Sequence, residues 1–189
     1  MKNKFDLGLI IRRPEFGAFM GLVFVYVFFA IFGGQTFTAV GGFASWMNIA
    51  AELGIIALPV GLIMIAGDLD LSVGSTLAAG GIMTAVLSGF YSLPTWIGIF
   101  AGIAFGTVIG FINGIIIVRT NLPSFVVTLA TNFSVFGFIL GTCKLLTGTV
   151  AVSMKPDSIS KSILGSLLFD QFESAIIIWA VVAAIVSWI

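Results

Sequence analysis

The 189-residue sequence has no histidine, a single cysteine and very little charge. Each shortage removes a class of function. Without histidine the chain lacks the commonest general base and the commonest metal ligand. The single thiol, Cys143, supports neither a disulfide framework nor a cysteine-based zinc site, and a small apolar filler is the plainer reading of it. Lysine and arginine number 8, as do aspartate and glutamate, so net charge is zero and there is no basic footprint for nucleic acid. Charged residues make up 8% of the chain, against about 25% in a soluble domain. A water-facing fold of this size cannot cover its surface with so few charges, whereas lipid removes that requirement.

Hydrophobic residues make up 59% of the chain, with 23 glycines and 19 phenylalanines. Mean hydropathy is +1.21. Abundant glycine and phenylalanine suit helices that pack closely and also face hydrocarbon. A spanning helix needs roughly 20 apolar residues. The expected fold is therefore all-α, a polytopic transmembrane helix bundle with five complete spans and a sixth begun at the C-terminus. The spans are read at Phe16–Gly34, Ile49–Gly67, Asp70–Gly89, Thr95–Val118, Ser124–Leu146 and Ser174–Ile189. Between them lie the weakly polar stretch Gln35–Asn48, the Asp68–Asp70 turn, Tyr91–Pro94, Arg119–Pro123 and a longer polar connection, Thr147–Glu173. The basic start is followed by no small-x-small cleavage site, so the first segment reads as a retained helix rather than a signal peptide. The last segment is still apolar at Ile189, with only Trp188 as an anchor. The reading is that residues 1–189 are a single transmembrane domain forming the first part of a longer protein.

Orientation is read from basic residues in short loops. Lys2, Lys4, Arg12 and Arg13 precede the first span, and Arg119 follows the fourth. A cytoplasmic N-terminus puts the Asp68–Asp70 turn and Arg119 inside. Lys144, Lys155 and Lys161 run against the rule, in or beside a loop that also carries Asp157, Asp170 and Glu173.

Three features interrupt the apolar pattern. Gly98, Gly102, Gly106, Gly110 and Gly114 recur every fourth residue. That spacing places them on nearly one face, a groove into which another helix can pack. In Gly67-Asp68-Leu69-Asp70-Leu71-Ser72-Val73-Gly74-Ser75 two aspartates break a long apolar run. An aspartate at a helix centre in the membrane costs about 2.5–3.5 kcal/mol on insertion scales. The economical reading is an interfacial turn, with Gly67 ending one helix in a left-handed conformation and Asp70 or Ser72 capping the next. The alternative is a turn that dips into the bilayer and lines a pathway. Glu52 is expected near the start of the second span, at the interface or facing a wet cavity, and Pro59 is expected to bend that helix. Asn113 is a candidate for a hydrogen bond between helices. No residue is assigned a catalytic or metal role, and no cofactor is expected in this chain.

The stretch Ile65-Ala66-Gly67-Asp68-Leu69-Asp70-Leu71-Ser72-Val73-Gly74-Ser75 resembles the signature Gly-(Gly/Asp/Glu)-(Ile/Leu)-Asp-Leu-Ser-Val-Gly-Ser of permeases in the ribose and simple-sugar class of ABC importers. Further matches follow in order: Arg13-Pro14-Glu15-Phe16, Gly110-Phe111-Ile112-Asn113-Gly114, Leu122-Pro123-Ser124-Phe125-Val126-Val127-Thr128-Leu129-Ala130 and Leu146-Thr147-Gly148. The chain departs from the pattern at Asp68, at Thr149 and from Gly137 to Lys144. The resemblance implies a permease subunit in the bacterial inner membrane that carries a monosaccharide or similar small polar solute. The implied partners are a second permease subunit, cytoplasmic ATPase subunits and a periplasmic sugar-binding protein. It also implies a domain of about ten spans, each of the ~20 residues that a bilayer demands, of which this chain matches the first half. No Gly-x-x-x-x-Gly-Lys-(Ser/Thr) loop is present, so ATP would be bound by a partner chain.

Three other readings meet the same residues. A secondary transporter would need buried ionisable groups, for which Glu52, Asp68, Asp70 and Lys144 are the candidates. An intramembrane aspartyl protease would need two facing carboxylates, and Asp68 and Asp70 lie two apart in one turn. A membrane scaffold would need only the glycine ladder.

Overall fold

The computed structural model describes residues 14–164, 166–168 and 172–188. Eight helices follow in order among them: α1 (Pro14–Phe32), α2 (Gly34–Thr38), α3 (Val40–Ile65), α4 (Val73–Ala85, continued as a π-helix over Val86–Phe90), α5 (Thr95–Thr120), α6 (Ser124–Thr147), α7 (Ser158–Leu164) and α8 (Ala175–Trp188). The strands among the described residues form a hairpin of β1 (Ser166–Leu168) and β2 (Phe172–Glu173), paired antiparallel. The basic residues Lys2, Lys4, Arg12 and Arg13, together with Asp170 and Ile189, lie outside the described residues.

Among the described residues four helices are long and apolar enough to cross a membrane: α3, α4 with its π-turn, α5 and α6. The apolar parts of α1 and α8, Phe16–Phe32 and Ala175–Trp188, are shorter. Large apolar side chains cover the outside of the spans, with Ile65 85% and Leu145 88% exposed. Such a surface is stable against hydrocarbon and not against water.

One boundary differs from the sequence reading. The stretch Gln35–Asn48 was expected to link two spans, yet α2 and α3 take up nearly all of it. It holds no charge and no proline, so apart from glycine nothing in it opposes helix. Only the extended Ala39 punctuates it, with Gly34 (φ +59°) just before the stretch. α3 is therefore 26 residues long, about 39 Å at 1.5 Å per residue, and it stays helical across Pro59. As a result Glu52 sits at the middle of a long helix rather than near its start.

The chain divides into two compact units, Met1–Ala50 and Ala51–Ile189. The first is held by an aromatic cluster in which Trp46 meets Phe43 edge-on at 4.6 Å, Tyr26 at 5.8 Å and Phe37 at 6.4 Å. In the second, α4, α5 and α6 pack together around Ala79, Val135 and Ile139, with Ile82, Met83, Phe105 and Ile109 against them. The ends of these helices follow from local chemistry. Asn121 (φ +53°) and Gly148 (φ +76°) take left-handed conformations just past α5 and α6. Pro94 and Pro123 precede α5 and α6, where a missing N–H costs nothing. α4 widens at its end, where the Tyr91 N–H reaches the Val86 carbonyl five residues back at 3.0 Å.

Candidate functional site

The site is built where α3 ends and α4 begins. Gly67 has φ +93°. Its N–H bonds the Met64 carbonyl and the Asp68 N–H bonds the Ile63 carbonyl, both at 3.1 Å. This is the paired arrangement that closes a helix around a left-handed residue. Residues 68–72 then run without helix to Val73. Their backbone would be left wanting partners at the membrane, and side chains of α6 supply them. Ser124 Oγ accepts from the Leu69 N–H at 3.0 Å, and Thr128 Oγ1 accepts from the Leu71 N–H at 3.1 Å.

A directed chain of hydrogen bonds continues inward. The Thr131 hydroxyl of α6 donates to Asn113 Oδ1 of α5 at 2.6 Å. Asn113 Nδ2 donates to Ser72 Oγ at 3.1 Å, and the Ser72 hydroxyl donates to Asp70 Oδ1 at 2.6 Å. The Ser72 N–H reaches the same oxygen at 2.8 Å. Asn113 and Ser72 are buried, as is Ser75, whose hydroxyl bonds the Ser72 carbonyl at 2.9 Å. From Thr131 through Asn113 to Ser72 each donor points toward the carboxylate, and linked bonds of this kind strengthen one another. Asp70 thus fixes the turn through Ser72 itself and makes no side-chain bond to the first turn of α4.

The depth of this junction follows from counting. Asn113 lies seven residues from the end of α5 at Thr120, and Thr131 lies seven from the start of α6 at Ser124. At 1.5 Å per residue both are about 10 Å inside the helix ends. Ser72 is bonded to Asn113, so α4 begins below the level where α5 and α6 terminate. Irregular backbone at such depth is tolerated where protein satisfies it, as Ser124 and Thr128 do here.

An open groove of about 430 Å³ starts at this junction. Asp70, Ser72, Thr76, Gly80 and Thr84 line it from the α4 side, Gly102 and Gly106 from α5, and Ile56 from α3. α4 and α5 touch most closely along small residues. A Cβ at Gly98 would lie 2.8 Å from Thr84 Cα, one at Gly102 3.1 Å from Gly80 Cα, and one at Gly106 3.2 Å from Thr76 Cγ2. Positions 110 and 114 meet nothing within 4 Å. Three rungs of the five-glycine ladder therefore carry the contact.

The remaining sequence candidates are placed as follows. Gly74 has open space around it, and Asp68 is exposed, contributing its backbone N–H to the helix end. Glu52 is exposed on α3, one helical turn from the groove-lining Ile56. The roles of Ser124, Thr128 and Thr131 went unread in the sequence, although the first two fall inside the matched stretch Leu122–Ala130. The facing stripe Thr76-Gly80-Thr84 was equally missed, and its i, i+4 spacing was the available signal. A second junction lies at the other end of α5. Asp157 Oδ1 accepts from the Thr95 N–H at 2.9 Å, and Thr95 Oγ1 accepts from the Asp157 N–H at 3.0 Å. The Ser160 N–H and hydroxyl also bond the Asp157 carboxylate, at 3.1 and 2.8 Å. Contacts with Thr95 first and Ser160 second hold this carboxyl well below the usual carboxylate range. Among the described residues no three His, Cys, Asp or Glu gather as a metal site.

A bundle of membrane-length helices with hydrogen-bonded irregular backbone at depth is the architecture of a membrane transport subunit. The chain belongs to the family described as branched-chain amino acid transport system, permease component, which matches it over residues 42–189. It is 29% identical over 189 residues to the xylose transport system permease protein of Escherichia coli strain K12, covering 93% of this chain and 47% of that protein. The autoinducer 2 import system permease protein of Salmonella typhi is 29% identical over 143 residues, 75% of this chain and 39% of that protein. A probable ABC transporter permease protein of Sinorhizobium fredii is 40% identical over 99 residues, 51% of this chain and 28% of that protein. The chain spans less than half the length of these relatives. No solved structure gives a significant match.

Proposed function

We propose that this chain belongs to the permease subunit of an ATP-driven importer in the bacterial inner membrane, carrying a monosaccharide or similar small polar solute. A periplasmic binding protein delivers the solute, a second permease subunit completes the pathway, and ATPase chains on the cytoplasmic side supply the work. The N-terminus is cytoplasmic, with five spans and a sixth begun at α8. On that orientation the Asp68–Asp70 turn opens toward the cytoplasm and Asp157 faces the periplasm.

The observation that carries this reading is the α3–α4 junction. A non-helical segment bonded at depth, at the mouth of an open groove, costs folding energy that a mere scaffold need not spend. Glu52 supports it from the side, because a carboxylate halfway along a membrane helix is costly unless it faces water or a polar partner. The family and the names of the relatives agree with it.

The test is uptake in proteoliposomes holding the complex purified from native membranes, with a tagged form of this chain. ATP-dependent accumulation of a labelled neutral sugar, insensitive to an uncoupler, is expected. Accumulation abolished by the uncoupler and indifferent to ATP would replace this reading with a secondary transporter. A complex that lacks an ATPase chain and moves no solute would leave a scaffold.

A further inference from the structure

We infer that Asp70 is a charge filter in the solute path: one carboxylate oxygen is presented to the groove as an acceptor for solute hydroxyls, and its charge turns away anionic solutes. This inference rests on the transport reading above and adds the group that selects.

The two oxygens of Asp70 have unequal surroundings. Oδ1 is held by the Ser72 N–H at 2.8 Å and the Ser72 hydroxyl at 2.6 Å. Ser72 is itself fixed by Asn113, and Asn113 by Thr131. Oδ2 makes no hydrogen bond to a described residue. A chain of buried donors thus orients the carboxylate through one oxygen and leaves the other available. Asp70 lines the groove, and its second oxygen is assigned to that space.

The rest of the groove is lined mainly by aliphatic side chains and glycines, with hydroxyls at Ser72, Thr76 and Thr84 and no other charge. Above Asp70, along the same face of α4, stand Thr76 and Thr84. Thr84 is tied to the Gly80 carbonyl at 2.9 Å, whereas the Thr76 hydroxyl has no partner among the described residues. The lining holds no lysine or arginine. A carboxylate or phosphate on the solute would meet a fixed negative charge with no cation to offset it. Sugar hydroxyls, by contrast, donate to an open carboxylate oxygen and exchange bonds with Thr76. The groove's volume, about 430 Å³, falls in the range of small-molecule sites.

The experiment uses the permease–ATPase complex in nanodiscs, without the binding protein, so that selectivity belongs to the permease alone. Thr76→Cys places a thiol in the groove, and alkylation by a small maleimide is followed. Xylose and glucose are compared with their aldonic acids, xylonate and gluconate. The sugars are expected to slow alkylation at concentrations at least tenfold below those of the acids. Asp70→Asn keeps the acceptor for Ser72 and removes the charge, and should bring each pair within about twofold. Equal protection by sugar and acid in the Thr76→Cys complex with Asp70 intact overturns the inference without use of the Asp70 variant. A thiol that no sugar protects, in a complex that imports sugar with ATP once placed in proteoliposomes with its binding protein, overturns it and leaves the transport reading intact. Failure of sugar import in those proteoliposomes overturns both.

Discussion

The glycine ladder of α5 yields a graded prediction. All five glycines look alike in sequence, but their surroundings differ. An added Cβ at Gly98 would sit 2.8 Å from Thr84 Cα and 3.2 Å from the Thr84 carbonyl oxygen. Those are backbone atoms, so the two helices must move apart to admit it. Overpacking of this kind costs about 1–3 kcal/mol, and alanine returns about 0.8–1 kcal/mol in helix propensity. Gly98→Ala is therefore expected to lose up to about 2 kcal/mol net. Gly102→Ala meets the Gly80 backbone at 3.1–3.2 Å and should lose less. Gly106→Ala meets only the methyl of Thr76 at 3.2 Å, which can yield. Gly110→Ala and Gly114→Ala meet nothing within 4 Å and should be neutral or more stable, by up to about 1 kcal/mol. Thermal unfolding of the purified complex, followed by size-exclusion fluorescence, ranks the five variants. The reasoning fails if Gly110→Ala is as damaging as Gly98→Ala, or if Gly98→Ala melts with the parent.

Three other substitutions probe the polar junctions. Asn113→Ala breaks the link between Thr131 and Ser72 and should cost about 1–3 kcal/mol, the penalty of unsatisfied buried groups, read as a lower melting temperature. Thr128→Val preserves shape but strips the Leu71 N–H of its acceptor; a loss of about 1–3 kcal/mol is expected, along with faster hydrogen exchange at Leu71. The Asp157 carboxyl is held below its ordinary range in the folded chain. Its contribution is therefore complete above the unfolded value of about 3.9 and fades as pH falls from there toward the folded value. Exchange protection at Thr95 and Ser160 should drop on acidification below about pH 4, and Asp157→Asn should flatten that dependence. Unchanged protection down to pH 2 would contradict the assigned bonds.

Much of the helical architecture was legible in the sequence because lipid leaves few options. Apolar runs of span length bounded by Tyr91–Pro94 and Arg119–Pro123 become helices whose ends fall within a few residues of the reading. The stretch Gln35–Asn48 was misread for a physical reason: weak polarity signals a loop only when charge, proline or a turn residue accompanies it. That error displaced Glu52 from the middle of α3 to its edge. At the junction, Gly67, Asp70 and Ser72 drew attention because they broke an apolar run. Ser124, Thr128 and Thr131 did not, since a hydroxyl on an apolar helix ordinarily bonds its own backbone. Only the fold brings them to Leu69, Leu71 and Asn113, 18 to 57 residues away in sequence.

The non-helical link between α3 and α4 also sets the mechanical freedom of the pair. A helix has a fixed length, because its hydrogen-bonded ladder does not stretch. Asp68 to Leu71 have no such ladder. Four residues measure about 6 Å if wound and up to about 13–14 Å if drawn out. They therefore allow α3 to slide by roughly 7 Å relative to α4 with both helices intact. Between the ends held by Ile63 and Ser72, the bonds of Leu69 and Leu71 to Ser124 and Thr128 restrain the stroke, so α6 acts as the latch on that travel.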